Sequence, residues 1–392
     1  MERWTSREGS PEPPGEMPAR PPGQMPGQPT AKRGKRGPWM VLLGALAAVL
    51  VVLPVVVLKL FSFALRVSLQ AEARVFEGWP ASRDAGEALP RPGEGRAGSV
   101  TRAGMAAGPR ADASLRREGR DFIGGGFLSL PRAFSSADGG YDLVVHFHGN
   151  TQLVEESYHA SGLDAAVLVL NHDGYGSGVY ESRFYHPAVL TKILGEVQQA
   201  LLARGLRGAR LGRLALSAWS AGYGAVLRAL ARPELSERVD AVLLLDGIHC
   251  GYDQQRAPAL DKLEPIVRFA ERAVAGERLL SLTHSEIQPD GDYAGTREVT
   301  DALLARLGVR RSPLMEAPPL PALASLRGIL PAKQIQALTP LTQAHVGGLW
   351  VRGYDGSREQ HHAMHLGQMS VTALPDLVRA WAKGSRLQTQ GR

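Results

Sequence analysis

Cysteine is almost absent from the 392-residue sequence, where Cys250 is the only one. An intrachain disulfide is therefore excluded, and Cys250, beside Gly251 in an apolar context, is expected to be buried without a chemical role. Hydrophobic residues make up 44% of the chain and charged residues 21%, so most of it can bury a core. This composition excludes fibrous, collagen-like and wholly disordered proteins.

A basic face for nucleic acid is also missing. The net charge is +7, but residues 1–118 hold 17 Lys and Arg against 11 Asp and Glu, whereas residues 119–392 hold 28 against 27. The surplus thus belongs to the N-terminal region, and the rest of the chain is nearly neutral. We expect no nucleic-acid partner.

The motifs of cofactor and metal binding are incomplete. A Gly-rich stretch at 171–178 has neither the Walker lysine nor the spacing of a dinucleotide-binding loop. His361 and His365 are four residues apart, as zinc ligands on a helix can be, but no glutamate stands between them in the metalloprotease arrangement. We therefore expect no cofactor and no metal. A metal-dependent hydrolase built on these histidines is the rival hypothesis, and it predicts that a chelator abolishes activity.

One long apolar stretch of the sequence contains no charged residue. Residues 39–58 are uncharged and, at 1.5 Å per residue, reach about 30 Å as a helix, which is the thickness of a bilayer core. We expect a transmembrane signal anchor at 39–60. A cleaved signal peptide is the alternative, but its apolar run would be shorter and its cleavage site closer. Four basic residues just before the run favour a cytoplasmic N-terminus and an extracytoplasmic C-terminal part.

The segments around this run are poor in periodic structure. Residues 1–38 are rich in proline and glycine and predict a disordered tail. Residues 61–118 predict an interfacial segment followed by a flexible tether. A single domain is expected at 119–392.

In that domain, short apolar runs alternate with segments of helical spacing. The runs at 126–130, 143–148, 166–171, 214–218, 241–246, 279–283 and 348–353 predict strands. The segments at 187–204, 221–231, 296–307 and 375–383 predict helices. This alternation indicates an α/β fold with a doubly wound, mostly parallel sheet.

Ser220 is the candidate nucleophile. It stands where a predicted strand runs directly into a helix, with the small residues Ala218 and Gly222 two positions before and after it. So tight a turn leaves no room for bulky flanking side chains, and it exposes the serine hydroxyl at the edge of the sheet. The N–H of Ala221 would then point at the developing oxyanion from the start of a helix.

A second oxyanion donor is predicted upstream. The strand ending at His148 runs into a His-Gly turn, and the N–H of Gly149 or Asn150 is placed to face the first donor. His148 itself is interpreted as a structural brace.

The serine needs a base, and the base needs an acid that orients it. Asp246 closes an apolar strand, where a carboxylate needs a partner, and it is the preferred acid. Glu286, Asp290 and Asp292, after the next strand, are its rivals. His362, on the loop after the last strand, is the first choice for the base, with His365 second and His361 also competing.

These residues, in this order, resemble the α/β-hydrolase superfamily over roughly 122–382. The resemblance implies an eight-stranded, mostly parallel sheet, a triad of Ser220, Asp246 and His362, and an oxyanion hole formed by Ala221 and the His-Gly turn. Ala218 and an acid after the sixth strand depart from the commonest pattern. Segments 251–277 and 309–344 look like insertions that cap the site, as lids do in this superfamily.

The expected function is that of a membrane-anchored serine hydrolase that cleaves an ester, a thioester or an amide. Its substrate would be a small-molecule or lipid-like acyl compound. The alternative is a catalytically silent envelope scaffold or binding protein on the same fold.

Overall fold

The structure is a computed structural model that describes residues 110–172, 176–315, 318–320 and 335–387. The expected tail (1–38), the expected anchor (39–60) and the tether up to residue 109 lie outside the described residues. None of the helices within the described ranges combines the length and the hydropathy that a membrane crossing needs.

The described strands form one ten-stranded sheet. They are β1 (Asp121–Ile123), β2 (Gly126–Ser129), β3 (Gly140–Phe147), β4 (Ala166–Leu170), β5 (Arg210–Trp219), β6 (Val239–Leu245), β7 (Leu279–His284), β8 (Ser312–Pro313), β9 (Pro340–Val346) and β10 (Leu349–Tyr354). The spatial order is β1-β2-β4-β3-β5-β6-β7-β10-β9-β8. The six central strands, from β4 to β10, are parallel to one another, and the outer strands pair antiparallel.

Helices cover both faces of the sheet. They are α1 (Thr151–Ala160), α2 (Ser177–Arg183), α3 (Ala188–Ala203), α4 (Tyr223–Leu230), α5 (Pro233–Ser236), α6 (Glu264–Val274), α7 (Thr296–Arg306), α8 (Glu359–Gly367), α9 (Met369–Thr372) and α10 (Leu374–Leu387). Helices α2 to α7 bury their apolar residues in a core on one face, and α1 and α8 to α10 do so on the other. In β3, Leu143 and Val145 belong to the first core and Val144 to the second. This alternation explains why the central strands are apolar throughout.

The prediction of an α/β fold with a mostly parallel, doubly wound sheet is confirmed. A mixed sheet of this kind, covered by helices, fits an α/β-hydrolase-like fold. The observed strands begin and end within about four residues of the predicted runs. Strands β1, β8 and β9 and helices α1, α2, α5, α6, α8 and α9 were not predicted.

The structure differs from the expectation at both segments interpreted as caps. Within 251–277, helix α6 packs against β7 and β10 and buries Ile266, Phe269 and Ala273 in the core. Within 309–344, residues 340–344 are part of β9, which pairs antiparallel with β10. These parts of the two segments therefore complete the layers of the fold. Residues 316–317 and 321–334 lie outside the described residues.

Candidate active site

An acid and an imidazole meet at the carboxyl edge of the sheet. Asp246 follows the last residue of β6, and His362 lies in the first turns of α8. The His362 Nδ1 atom is 2.7 Å from Asp246 Oδ2, and the Ser285 N–H donates to Asp246 Oδ1 at 2.8 Å. An ionised carboxylate only accepts, so Nδ1 of His362 carries the hydrogen and Nε2 remains a potential base.

The Asp246 carboxylate is held in its charged form. Its side chain is almost fully buried, and burial alone would raise its pKa. The imidazoles of His365 and His362 and the Ser285 N–H outweigh this effect, so the pKa of Asp246 lies below its usual range. The acid is therefore ionised at any pH near neutrality and is fit to orient His362.

Ser220 lies beside Asp246. Strand β5 ends at Trp219, whose register partner on β6 is Leu245, so the next residues, Ser220 and Asp246, leave two adjacent strands at the same level. Ser220 begins the 3-10 turn Ser220–Gly222 that leads into α4, and it is half-buried. Both Ser220 (φ 49°) and Asp246 (φ 45°) adopt left-handed backbone conformations. Such backbone strain in non-glycine residues is typical of active sites.

No hydrogen bond joins Ser220 to His362 in the described part of the chain, although the residue before Ser220 contacts the His362 ring. Hydrogen bonds of this kind are often long before substrate binds and shorten in the complex.

Steric overlap explains why small residues surround the Ser220 turn. A Cβ atom on Gly222 would lie 2.2 Å from the carbonyl oxygen of Phe147, at the end of β3. A Cβ atom on Gly247 would lie 2.3 Å from the carbonyl oxygen and 2.5 Å from the nitrogen of Ser220. The backbone of Gly247 thus supports the serine turn directly.

Replacing Gly247 by alanine is expected to displace the Ser220 turn. The new methyl group would overlap backbone atoms of Ser220, and backbone atoms cannot avoid the overlap by changing rotamer as a side chain can. We expect a loss of about 1–3 kcal/mol in the free energy of unfolding, together with a lower rate of ester hydrolysis. Gly251→Ala is the matched control, since a Cβ atom there meets nothing within 4 Å. Equal behaviour of the two variants in urea unfolding and in ester hydrolysis would contradict the prediction.

Of the two predicted oxyanion donors in the His-Gly turn, one is already engaged. The N–H of Gly149 donates to Asn171 Oδ1 at 2.9 Å, because Asn171 follows β4, the parallel neighbour of β3. Asn150 is the N-cap of α1 and accepts from the Leu153 N–H through its side chain. The Asn150 N–H has no acceptor among the described residues, and it is the donor that we retain together with Ala221.

The three late histidines differ in their surroundings. His365 is fully buried, with Nδ1 2.9 Å from the Thr283 hydroxyl and Nε2 4.0 Å from Asp246 Oδ2. Burial lowers the pKa of His365 to about 4. The ring of His361 instead accepts from the Arg358 N–H and caps the start of α8. His362 is thus the one of the three that bonds to the acid.

The rival acids lie elsewhere. Asp290 and Asp292 are exposed, and Asp292 pairs with Arg256 at 2.6 Å. Glu286 pairs with Arg297. In the described ranges, no group of three or more His, Cys, Asp or Glu side chains could hold a metal ion.

Sequence reasoning missed Trp219 as a part of the site. Its ring lies 4.7 Å from the His362 ring, and its indole N–H donates to the His362 carbonyl at 3.0 Å. The same indole stacks on His148 at 5.2 Å and 10° between planes. Burial, reinforced by the proximity of His362, lowers the pKa of His148 to about 4 and keeps that ring neutral. The only signal in the sequence was that Trp219 directly precedes the candidate nucleophile.

Comparison with known proteins finds similarity in structure alone. No protein-family model and no curated protein sequence matches the chain. Similar solved structures include a poly(3-hydroxybutyrate) depolymerase from Bordetella parapertussis (12% identity, 65% of this chain, 87% of that chain, TM-score 0.36). A siderophore hydrolase from Aspergillus nidulans is 15% identical over 65% of this chain and 93% of that one, with a TM-score of 0.36. An esterase from Pyrococcus furiosus is 10% identical over 68% and 94%, with a TM-score of 0.34. Similarity at this level does not carry the activity of these proteins over to this chain.

Proposed function

We propose that this chain is a serine hydrolase that cleaves an ester, a thioester or an amide through an acyl-enzyme intermediate on Ser220. The observation that carries the proposal is the 2.7 Å contact between His362 and the buried Asp246, on the strand end next to Ser220. A buried carboxylate paired with a half-exposed imidazole, beside a serine at a strained turn, is the combination that nucleophilic catalysis by serine requires.

The reaction follows from these roles. The Ser220 oxygen attacks the acyl carbon while His362 Nε2 takes the hydroxyl proton, and Asp246 stabilises the imidazolium that forms. The N–H groups of Ala221 and Asn150 bind the oxyanion of the tetrahedral intermediate. The bond to the leaving group then breaks as His362 returns the proton to it. A water molecule then attacks the acyl carbon while His362 takes its proton. His362 returns this proton to the Ser220 oxygen as the bond from that oxygen to the acyl carbon breaks, which restores Ser220 and releases the acid.

The proposal includes a place in the cell. The uncharged run within 39–60 would anchor the chain in a membrane, with its N-terminus cytoplasmic and the hydrolase domain extracytoplasmic. The substrate would then be a small-molecule or lipid-like acyl compound that reaches the outer surface of that membrane.

Labelling with a fluorophosphonate probe tests the catalytic claim, because such probes phosphonylate serines only where the site has activated them. We expect the native full chain in detergent to be labelled at Ser220, identified by mass spectrometry of the labelled peptide. Chain unfolded in urea before the probe is added is the control and should not react. Native chain that remains unlabelled and that hydrolyses no short nitrophenyl ester would reject the hydrolase and favour a catalytically silent scaffold.

The same labelled chain tests the location. It is expected to stay with membranes washed in alkaline carbonate. A probe that cannot cross membranes is expected to label the chain in unlysed cells from which the layers outside the anchoring membrane have been removed. Release by carbonate would refute the anchor, and labelling only after lysis would refute the orientation.

A further inference from the structure

Trp219 connects the nucleophile, the base and a second histidine. It is the last residue of β5, directly before Ser220, and only 3% of its surface is exposed. Its ring lies 4.7 Å from the His362 ring at 31°, and its indole N–H donates to the carbonyl of the same residue at 3.0 Å. One side chain therefore contacts His362 twice, at its backbone and at its ring.

We propose that Trp219 is a positioning residue that holds the His362 imidazole for proton transfer and stabilises its protonated form with the indole face. This inference rests on the proposed function, since it assigns Trp219 a part in the same reaction. It adds a fourth side chain to Ser220, Asp246 and His362.

The hydrogen bond to the His362 carbonyl controls position. Helix α8 begins at Glu359, so His362 lies in a part of the helix where small shifts of the first turn would move the ring. The hydrogen bond to Asp246 holds the Nδ1 atom of His362, but this bond alone does not fix the tilt of the ring plane. The indole fixes the backbone on one side and the ring plane on the other. A displacement of the base by about 1 Å can cost a factor of about 100 in rate.

The indole face acts on charge. When His362 takes the proton from Ser220 it becomes a cation, and the face of a tryptophan is the aromatic surface that attracts cations most strongly. The other imidazole on this indole, His148, is 5.2 Å away and nearly parallel to it. Its lowered pKa, about 4, keeps it neutral near pH 7, so the positive charge that forms during turnover is on His362.

The titratable groups that face His362 each keep one protonation state near pH 7. Asp246 is ionised, and burial lowers the pKa values of His148, His249 and His365 to about 4. The acid limb of the kcat/KM profile should therefore follow the protonation of the base. Removing a face that stabilises the protonated base favours the neutral form, so the limb should move to lower pH.

The test is a pair of variants measured over pH 4–9 with a nitrophenyl ester. Trp219→Leu removes both the face and the N–H, and we expect kcat to fall about 100-fold and the acid limb to move down by about half to one pH unit. Trp219→Phe keeps a weaker aromatic face and loses the N–H, so we expect a fall of about 10-fold and a smaller shift in the same direction. The matched control is Trp350→Leu, which removes the stack of Trp350 on His345 at 3.5 Å, between β9 and β10. The control should leave the profile unchanged.

A fall in kcat with an acid limb identical to that of the unaltered chain would overturn the proposal, because packing alone would then explain Trp219. If Trp219→Leu does not fold, the acid limb of the kcat/KM profile of Trp219→Phe is compared with that of the unaltered chain instead, and identical limbs overturn the proposal. A second measurement, the NMR titration of the His362 ring in Ser220→Ala, does not depend on activity. A chain without hydrolysis refutes the proposed function, whereas equal His362 titrations with and without Trp219→Leu refute this inference.

Discussion

Replacing Ser220 by alanine is expected to lower kcat for a nitrophenyl ester by about 10⁴- to 10⁶-fold, while KM changes little. The alanine cannot form the acyl-enzyme, and what remains is hydrolysis by water in a site that still binds the substrate and its oxyanion. The fold should survive, because the Ser220 side chain is half-buried and none of the hydrogen bonds described above depends on its hydroxyl. Thermal unfolding checks the fold, and steady-state kinetics measures the loss.

Asp246→Asn belongs to the same experiment and is expected to lower kcat by about 10⁴-fold. The asparagine amide can donate to His362 Nδ1, which would place the ring hydrogen on Nε2, where the base needs a lone pair. Because the two residues act in one proton transfer, the double variant should be no slower than Ser220→Ala alone. The matched control is Asp292→Asn, a rival acid that is exposed and paired with Arg256. It should leave kcat unchanged.

Two results would contradict this assignment. Losses that multiply in the double variant would mean that Asp246 acts independently of the serine. A large effect of Asp292→Asn would return the role of the acid to the loop after β7.

The fold was predictable where burial on both faces requires a continuous apolar run in the sequence. Strand β4 reads Ala-Val-Leu-Val-Leu, all of it buried, because a central parallel strand has helices on both faces. The short strands β1 and β8 could not be found in this way. They hold only 3 and 2 residues, too few for any periodicity, and their pairing partners fix them.

Helix α6 shows a different failure. Its buried residues Ile266, Phe269, Ala270 and Ala273 recur at helical spacing, so the signal was present. The resemblance to a family with caps favoured a capping insertion instead. The apolar stripe was the better guide, because it marks the residues that α6 buries in the core.

The site divides along the same line. Ser220 and Asp246 could be proposed because each directly follows a strand, and the carboxyl ends of parallel strands share one edge. His362 could be proposed from its place after the last strand, although it lies in α8 and not on the predicted loop. The engagement of the Gly149 N–H could not be foreseen. It depends on β3 lying next to β4, which brings Asn171 to that amide, and this neighbourhood is a property of the sheet order. The contact of Trp219 with His362 depends in the same way on how α8 packs.

The buried histidines predict a steep loss of stability in acid. His146, His284 and His365 are at most 1% exposed, and burial lowers their pKa values to about 3, 4 and 4. In the unfolded chain a histidine has a pKa near 6.5. Burial also lowers the pKa values of His148 and His249 to about 4. Between about pH 6 and pH 4 the unfolded chain therefore binds up to about five protons that the folded chain does not. Stability is fully present above pH 6.5 and is lost as pH falls.

The expected slope reaches about 7 kcal/mol per pH unit, since each of the five protons contributes about 1.4 kcal/mol per unit. A domain that is stable by roughly 5–15 kcal/mol should then unfold within about one to two units below pH 6.5. Urea unfolding of the chain in detergent, followed by tryptophan fluorescence from pH 4.5 to 7.5, measures this slope.

His284→Asn keeps a donor for the Ser285 carbonyl, which the His284 ring contacts through Nδ1, and should lower the slope by about one proton. His345→Asn is the matched control, since it makes the same substitution at an exposed position. A slope below one proton would mean that the buried imidazoles take up protons without unfolding, and the neutral state assigned to His365 beside Asp246 would then be wrong as well.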